Sequence, residues 1–157
     1  MWLGLALAAA IALADQLTKL WVLAVFAARA SGPPVVRIAP FFNLVLTGNR
    51  GMSFGLFNND AAANTAIFTV LAGLIVAGLI AWLRRAETAL LRVAIGLVIG
   101  GAIGNVADRL WRGAVVDFLD FHLGDWHWFA FNLADTAICL GVAALLLDSL
   151  LGRRGSA

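Results

Sequence analysis

Several of the few charges in this 157-residue chain fall where a hydrocarbon solvent should forbid them. The most suggestive are the acids in Val115-Val116-Asp117-Phe118-Leu119-Asp120-Phe121 and in Phe131-Asn132-Leu133-Ala134-Asp135. Asp117 or Asp120 from the first run, and Asp135 from the second, stand among bulky apolar residues with an Asn or Arg nearby. Two carboxyls brought within hydrogen-bond distance in a poorly solvated site cannot both ionise cheaply, so they share one proton. The ionised member draws a proton from water while the protonated member donates to a carbonyl oxygen. Such a couple hydrolyses an amide without metal, cofactor or covalent intermediate. Asn105, Arg109 and Asn132 are the neighbours expected to orient the acids or a bound peptide backbone. Asp135 also has an ordinary explanation. With Asn132 as N-cap it forms a capping-box pattern, and an acid is favoured at a helix N-terminus.

Other polar groups must be placed too, because a charge at bilayer depth costs about 2.5–3.5 kcal/mol on insertion scales. Asp15 and Lys19 lie four apart with the acid N-terminal, the favourable order for a structural ion pair on one helix face. Gly96, Gly100 and Gly104 recur every four residues and predict a smooth seam for close approach of another helix. Asn105 and Arg109 share a face just beyond that seam, whereas Asp108 and Arg109 also suit a helix end at the interface. Cys139, the only cysteine, lies in an apolar run and is expected to be a small buried residue, with no internal disulfide available.

The elements that must carry these groups follow from composition. With 62% hydrophobic and 13% charged residues, the chain departs from soluble globular proteins toward those dissolved in lipid. A helix needs about 20 apolar residues to span a bilayer. Four runs meet this requirement, at about 2–28, 64–83, 89–107 and 131–151, and one polytopic domain over 1–157 is expected. The net charge of +2 is scattered, with no basic run suited to a phosphate backbone, so nucleic acid is not an expected partner. Arginines are densest in the hairpin between spans two and three (Arg84, Arg85, Arg92) and at the C-terminus (Arg153, Arg154). That density predicts both termini inside and the 29–63 and 108–130 segments outside. Trp2 and Trp82 then fall near the inner edge and Trp111, Trp126 and Trp128 near the outer one. Residues 35–57 mix β-branched and aromatic residues with Pro and Gly and predict a small extended, β-like cradle at the surface. Segment 109–130, rich in Trp, Phe, Asp and His, is expected along the interface as a mobile lid.

Five blocks, in order, give the chain a family likeness. They are Asp15-Gln16-x-x-Lys19, Asn49-Arg50-Gly51-Met52-Ser53-Phe54, Gly101-x-x-Gly104-Asn105-x-x-Asp108-Arg109, Val115-Val116-Asp117-Phe118 and Phe131-Asn132-x-Ala134-Asp135. Together they resemble the bacterial lipoprotein signal peptidases (signal peptidase II) over essentially the whole length. The resemblance implies an all-α membrane protein of four transmembrane helices, with a small extracytoplasmic β-like cradle. It implies a catalytic pair at Asp117 and Asp135, with Asp15, Lys19, Asn49, Gly51, Asn105, Arg109, Asn132 and Ala134 as the other characteristic positions. Asn49 and Arg50-Gly51 would then meet peptide carbonyls. The implied substrate is a diacylglyceryl-modified prolipoprotein in the bacterial inner membrane, cut just before its lipidated cysteine on the extracytoplasmic side. Membrane lipid and globomycin-type cyclic peptide inhibitors are the other implied partners. Met52-Ser53 and Ala130 depart from the family pattern without touching a carboxylate.

Rival chemistries fit less well. A proton-coupled carrier needs polar groups through the depth of the bilayer, but 70–82 holds none of weight. A zinc protease would need more than His122 and His127, because no His-Glu-x-x-His helix exists. Aspartyl intramembrane proteases with Tyr-Asp and Gly-x-Gly-Asp motifs are excluded, since the chain has no tyrosine and no such glycine motif.

Overall fold

A computed structural model describes residues 1–29, 33–50 and 61–154, with side chains left out at 61–64 and 152–154. Four long helices are present: α1 (Trp2–Ala27), α2 (Ala61–Leu83), α3 (Ala89–Arg112) and α4 (Leu133–Arg154). Each holds a stretch long and apolar enough to cross a membrane, so the protein is a multi-pass membrane protein. α3 runs to Arg112 rather than stopping near 107, because its last turns carry Asn105, Asp108 and Arg109 into a polar interior. Thr88 caps its start by accepting the Leu91 N–H at 2.9 Å. Gly113 ends it in the left-handed region at φ 73°, where a side chain would be strained.

α3 is the central helix, and half of its apolar window is buried against 6% for α2. Between apolar helices in lipid no hydrophobic force operates, so contact rests on close packing of small residues. A Cβ on Gly96 would lie 2.6 Å from the Gly4 carbonyl oxygen, and one on Gly100 2.7 Å from that of Ala8. The predicted seam therefore seats α1. A neighbouring glycine, Gly101, faces the Ala134 carbonyl and seats α4. Most other apolar side chains point outward, and Cys139 is among them. The expectation that it is buried was wrong, because in a membrane an apolar residue is equally at home facing lipid.

At one end of the bundle lies a four-stranded antiparallel sheet, ordered β1 (Val35–Ala39), β2 (Phe42–Asn49), β3 (Val115–Leu123) and β4 (Trp126–His127). The predicted cradle supplies β1 and β2. Pairing of β2 with β3 shows that the two connecting segments meet on one face of the bundle. Segment 109–130 is therefore not one lid. It comprises the last turn of α3, the central strand β3 with Val115 to Phe118 buried, and a short hairpin turning at Gly124 (φ 61°). Only the stretch beyond β3 carries the largely exposed Trp126, Trp128 and Phe129. Leu44, Val116 and Phe118 pack with Val22 of α1, fixing the sheet to the helices.

Candidate active site

Asp117 lies near the start of β3 and is 2% exposed. Its pairing partner on β2 is Thr47, directly beyond a register shift between Leu44 and Thr47. Such an irregularity re-aims side chains beside it. Asp135 lies in the first turn of α4, half-buried. Asn132 joins the two. Its Nδ2 donates to Asp117 Oδ1 at 2.7 Å, while its backbone N–H donates to Asp135 Oδ2 at 3.2 Å. The Asp135 N–H returns a bond to Asn132 Oδ1 at 3.0 Å. Asp135 is thus both a capping residue and the neighbour of a second acid. The two explanations offered by the sequence are compatible.

The amides have defined orientations because their other bonds leave no choice. Asn132 Oδ1 accepts from a backbone N–H, so its NH₂ must face Asp117. Asn105 Oδ1 accepts from Lys19 Nζ at 3.2 Å, so its NH₂ must face Asp135, whose Oδ1 it meets at 2.8 Å. Asn49, the last residue of β2, hydrogen-bonds Asp117 as well. Burial is the main reason the Asp117 carboxyl is pushed up to about 6, with the nearby charge of Asp135 adding to it and the bonds from Asn49 and Asn132 opposing it. Arg109 faces both acids electrostatically, bonds the Asn105 carbonyl oxygen at 3.3 Å and lies over the Phe68 ring at 5.8 Å. Neither acid forms a salt bridge among the described residues.

Asp15 and Lys19 are in contact at 2.8 Å and completely buried, and they are not alone. Asp108 joins Lys19 at 2.8 Å and takes a short bond from Arg112. Gln16 Nε2 donates to Asp108 Oδ1 at 3.2 Å and to the Gly104 carbonyl at 3.1 Å. Ala134, fully buried, donates its N–H to Asp15 Oδ1 at 3.0 Å. Gln16 and Arg112 are not singled out as site residues by the sequence, which leaves Asp108 between a helix end and a site. The signal was present, since Asp108 and Arg112 repeat the four-residue spacing of Asp15 and Lys19. Asp120 is engaged elsewhere, with Asn43 Nδ2 at 2.9 Å and His127 Nδ1 at 3.0 Å. Three residues along a strand put it on the opposite face from Asp117. His122 stacks on His127 at 4.8 Å. Gly51 and the rest of its block, Met52-Ser53-Phe54, lie outside the described residues.

One opening reaches Asp117, and another ends at the residues beside Asp135. A cleft of about 620 Å³ runs along Asn49, Arg50, Ala114, Asp117 and Phe129. A groove of about 270 Å³ between α2, α3 and α4, walled by Phe68, Leu71, Ile75 and Ile138, ends at Asn105 and Arg109.

Comparison with known proteins agrees with this architecture. Residues 7–151 match the family model described as signal peptidase (SPase) II. The chain is 48% identical over 157 residues to a lipoprotein signal peptidase of Paraburkholderia phymatum, covering 99% of this chain and 90% of that one. It is 45% identical over 152 residues to one of Nitrobacter hamburgensis, covering 94% and 92%. A bacterial membrane enzyme solved in meso superposes with a TM-score of 0.80 at 24% identity, over 98% of this chain and 91% of the other. A second gives 0.77 at 25% identity, over 94% and 92%. The chain belongs to the signal peptidase II family and is a multi-pass membrane peptidase.

Proposed function

We propose that this protein removes the signal peptide from diacylglyceryl-modified prolipoproteins, cutting the amide bond just before the lipidated cysteine with Asp117 and Asp135 as the catalytic couple. The observation that carries this is Asn132, which bonds both carboxyls; a surface cleft is lined by Asp117, and an apolar groove ends at Asn105, which bonds Asp135. A lipid-anchored substrate has the matching shape. Its polar backbone lies in the cleft beside Asn49 and Arg50, while hydrocarbon from the signal segment or the acyl chains fills the groove. α2 packs chiefly on α3, so that groove opens sideways to lipid.

The steps follow from the couple. The shared proton rests on Asp117, whose burial disfavours the charged form. Asp135, the other member of the couple, takes a proton from the attacking water. Asp117 donates its proton to the scissile carbonyl oxygen, giving a neutral gem-diol. Asp117 then recovers a proton from one gem-diol hydroxyl as the carbonyl re-forms, Asp135 passes its own to the leaving nitrogen, and the C–N bond breaks. The couple returns to its starting state. The cleavage face is extracytoplasmic in the bacterial inner membrane with both termini cytoplasmic, an orientation supported by the density of arginines near the span ends. Cyclic peptides of the globomycin type compete for the cleft.

Purified protein in detergent, given one prolipoprotein with and without its diacylglyceryl group, tests the substrate. Mass spectrometry of the lipidated sample should find a product beginning at the modified cysteine, with little product from the unmodified one. Equal cleavage of both, or a cut elsewhere, would refute the assignment.

A further inference from the structure

Asp15, Lys19 and Asp108 are completely buried and lie beside the catalytic couple rather than in it. Lys19 spends its three N–H groups on Asp15 Oδ2 and Asp108 Oδ2, each at 2.8 Å, and on Asn105 Oδ1 at 3.2 Å. The third bond matters most. An ammonium has donors only, so it admits only the oxygen of the Asn105 amide and turns the NH₂ toward Asp135. Asn132 Nδ2 donates to the same oxygen at 3.2 Å and adds to the preference. On the other side, Asp108 Oδ2 accepts the Val116 N–H at 2.9 Å, the peptide group just before Asp117. One buried group of charges therefore reaches both acids, each through one neutral intermediary.

We propose that Asp15, Lys19 and Asp108 form a positioning device that orients the Asn105 amide toward Asp135 and holds the strand segment bearing Asp117. Lys19 is its pivot, and Asp15 and Asp108 keep the ammonium aimed. None of the three touches substrate. Without the ammonium, only the Asn132 NH₂ still holds the Asn105 oxygen, so the amide turns that oxygen to Asp135 more readily, a contact only a protonated Asp135 can satisfy. The couple then takes up its second, inactivating proton too readily. The other charged groups facing Asp135, namely Arg109 of α3 and Asp117 of β3, stay in place, although Asp117 also loses the favourable charge of Lys19.

This inference rests on the peptidase assignment, and its test is arranged to separate the two. Lys19→Met alone strands the buried Asp15 without its cation, so the deciding variant is Asp15→Asn/Lys19→Met. It removes one charge of each sign and leaves the Asp108–Arg112 pair and the Val116 bond in place. Parent and variant are compared by circular dichroism, and by kcat and KM for a lipidated prolipoprotein between pH 4 and 9. A folded variant should show kcat lower by up to about a hundredfold, the cost of misplacing a catalytic group. KM should stay within about twofold, and the acid limb of the rate profile should move to higher pH. A merely structural loss would scale the profile without moving that limb. A folded variant with the parental limb overturns the proposal. So does a double variant that cannot fold, since the cluster would then be a folding element only. An inactive parent would bring down the peptidase assignment and this inference with it.

Discussion

Two groups of buried charge lie side by side in this protein and are built on opposite plans. In the Asp15–Lys19–Asp108 group every acid has a cation or an N–H against it, and all three side chains are fully buried. In the Asp117–Asp135 couple two acids face each other across neutral amides, with a cleft at one side. Burial with counter-charges gives a rigid, unreactive link between helices. Burial with no counter-charge bonded directly leaves a group whose protonation state is unsettled near neutral pH, which is what acid–base chemistry needs.

The largest stability effect should come from breaking the balanced group. Lys19→Met leaves Asp15 buried without its cation and Asp108 with Arg112 alone, and should cost about 3–5 kcal/mol, seen as loss of the folded state on mild heating in detergent. Gly104→Ala attacks the same group sterically, since a Cβ there would lie 2.5 Å from Asp15 Oδ2. It should lower stability by about 1–3 kcal/mol with a smaller fall in the melting temperature.

The unbalanced couple should respond in the opposite sense. Because Asp117 is raised from 3.8 to about 6, the folded state holds its proton more tightly than the unfolded chain does. Its contribution to stability is fully present below about pH 4 and is lost as pH rises through about 6. Asp117→Asn removes that loss, so the variant should be more stable than the parent at pH 8, by no more than about 3 kcal/mol, and equal to it at pH 4. Melting curves at the two pH values check this. An Asp117→Asn variant less stable than the parent at pH 8 would place the couple with the balanced group. The smallest effect is expected at Asp120, whose carboxyl serves Asn43 and His127. Asp120→Asn should keep cleavage within about twofold of the parent.

Much of this arrangement is legible in the sequence. Span length is set by bilayer thickness, so apolar runs locate the helices, and the Asp15–Lys19 spacing gives an ion pair directly. β3 was harder. Its residues from Val115 to Phe118 are all buried, so it lacks the in–out alternation that marks a half-exposed strand, and its mixture of acids and aromatics looks like an interfacial loop. Asp108 was hidden for a related reason. Beside Arg109 it suits a helix end as well as a site, but α3 continues and carries it inward to Lys19. The link from Lys19 through Asn105 to Asp135 joins α1, α3 and α4, and no local pattern encodes it.

The central claim is that Asp117 and Asp135 together cut the peptide bond. It is tested most directly by giving purified, folded Asp117→Asn and Asp135→Asn variants the lipidated prolipoprotein under conditions where the parent completes cleavage. Each single variant should lose activity by at least about a thousandfold, because neither acid alone supplies both proton transfers. Substantial turnover by either one, with its fold intact, would contradict the account.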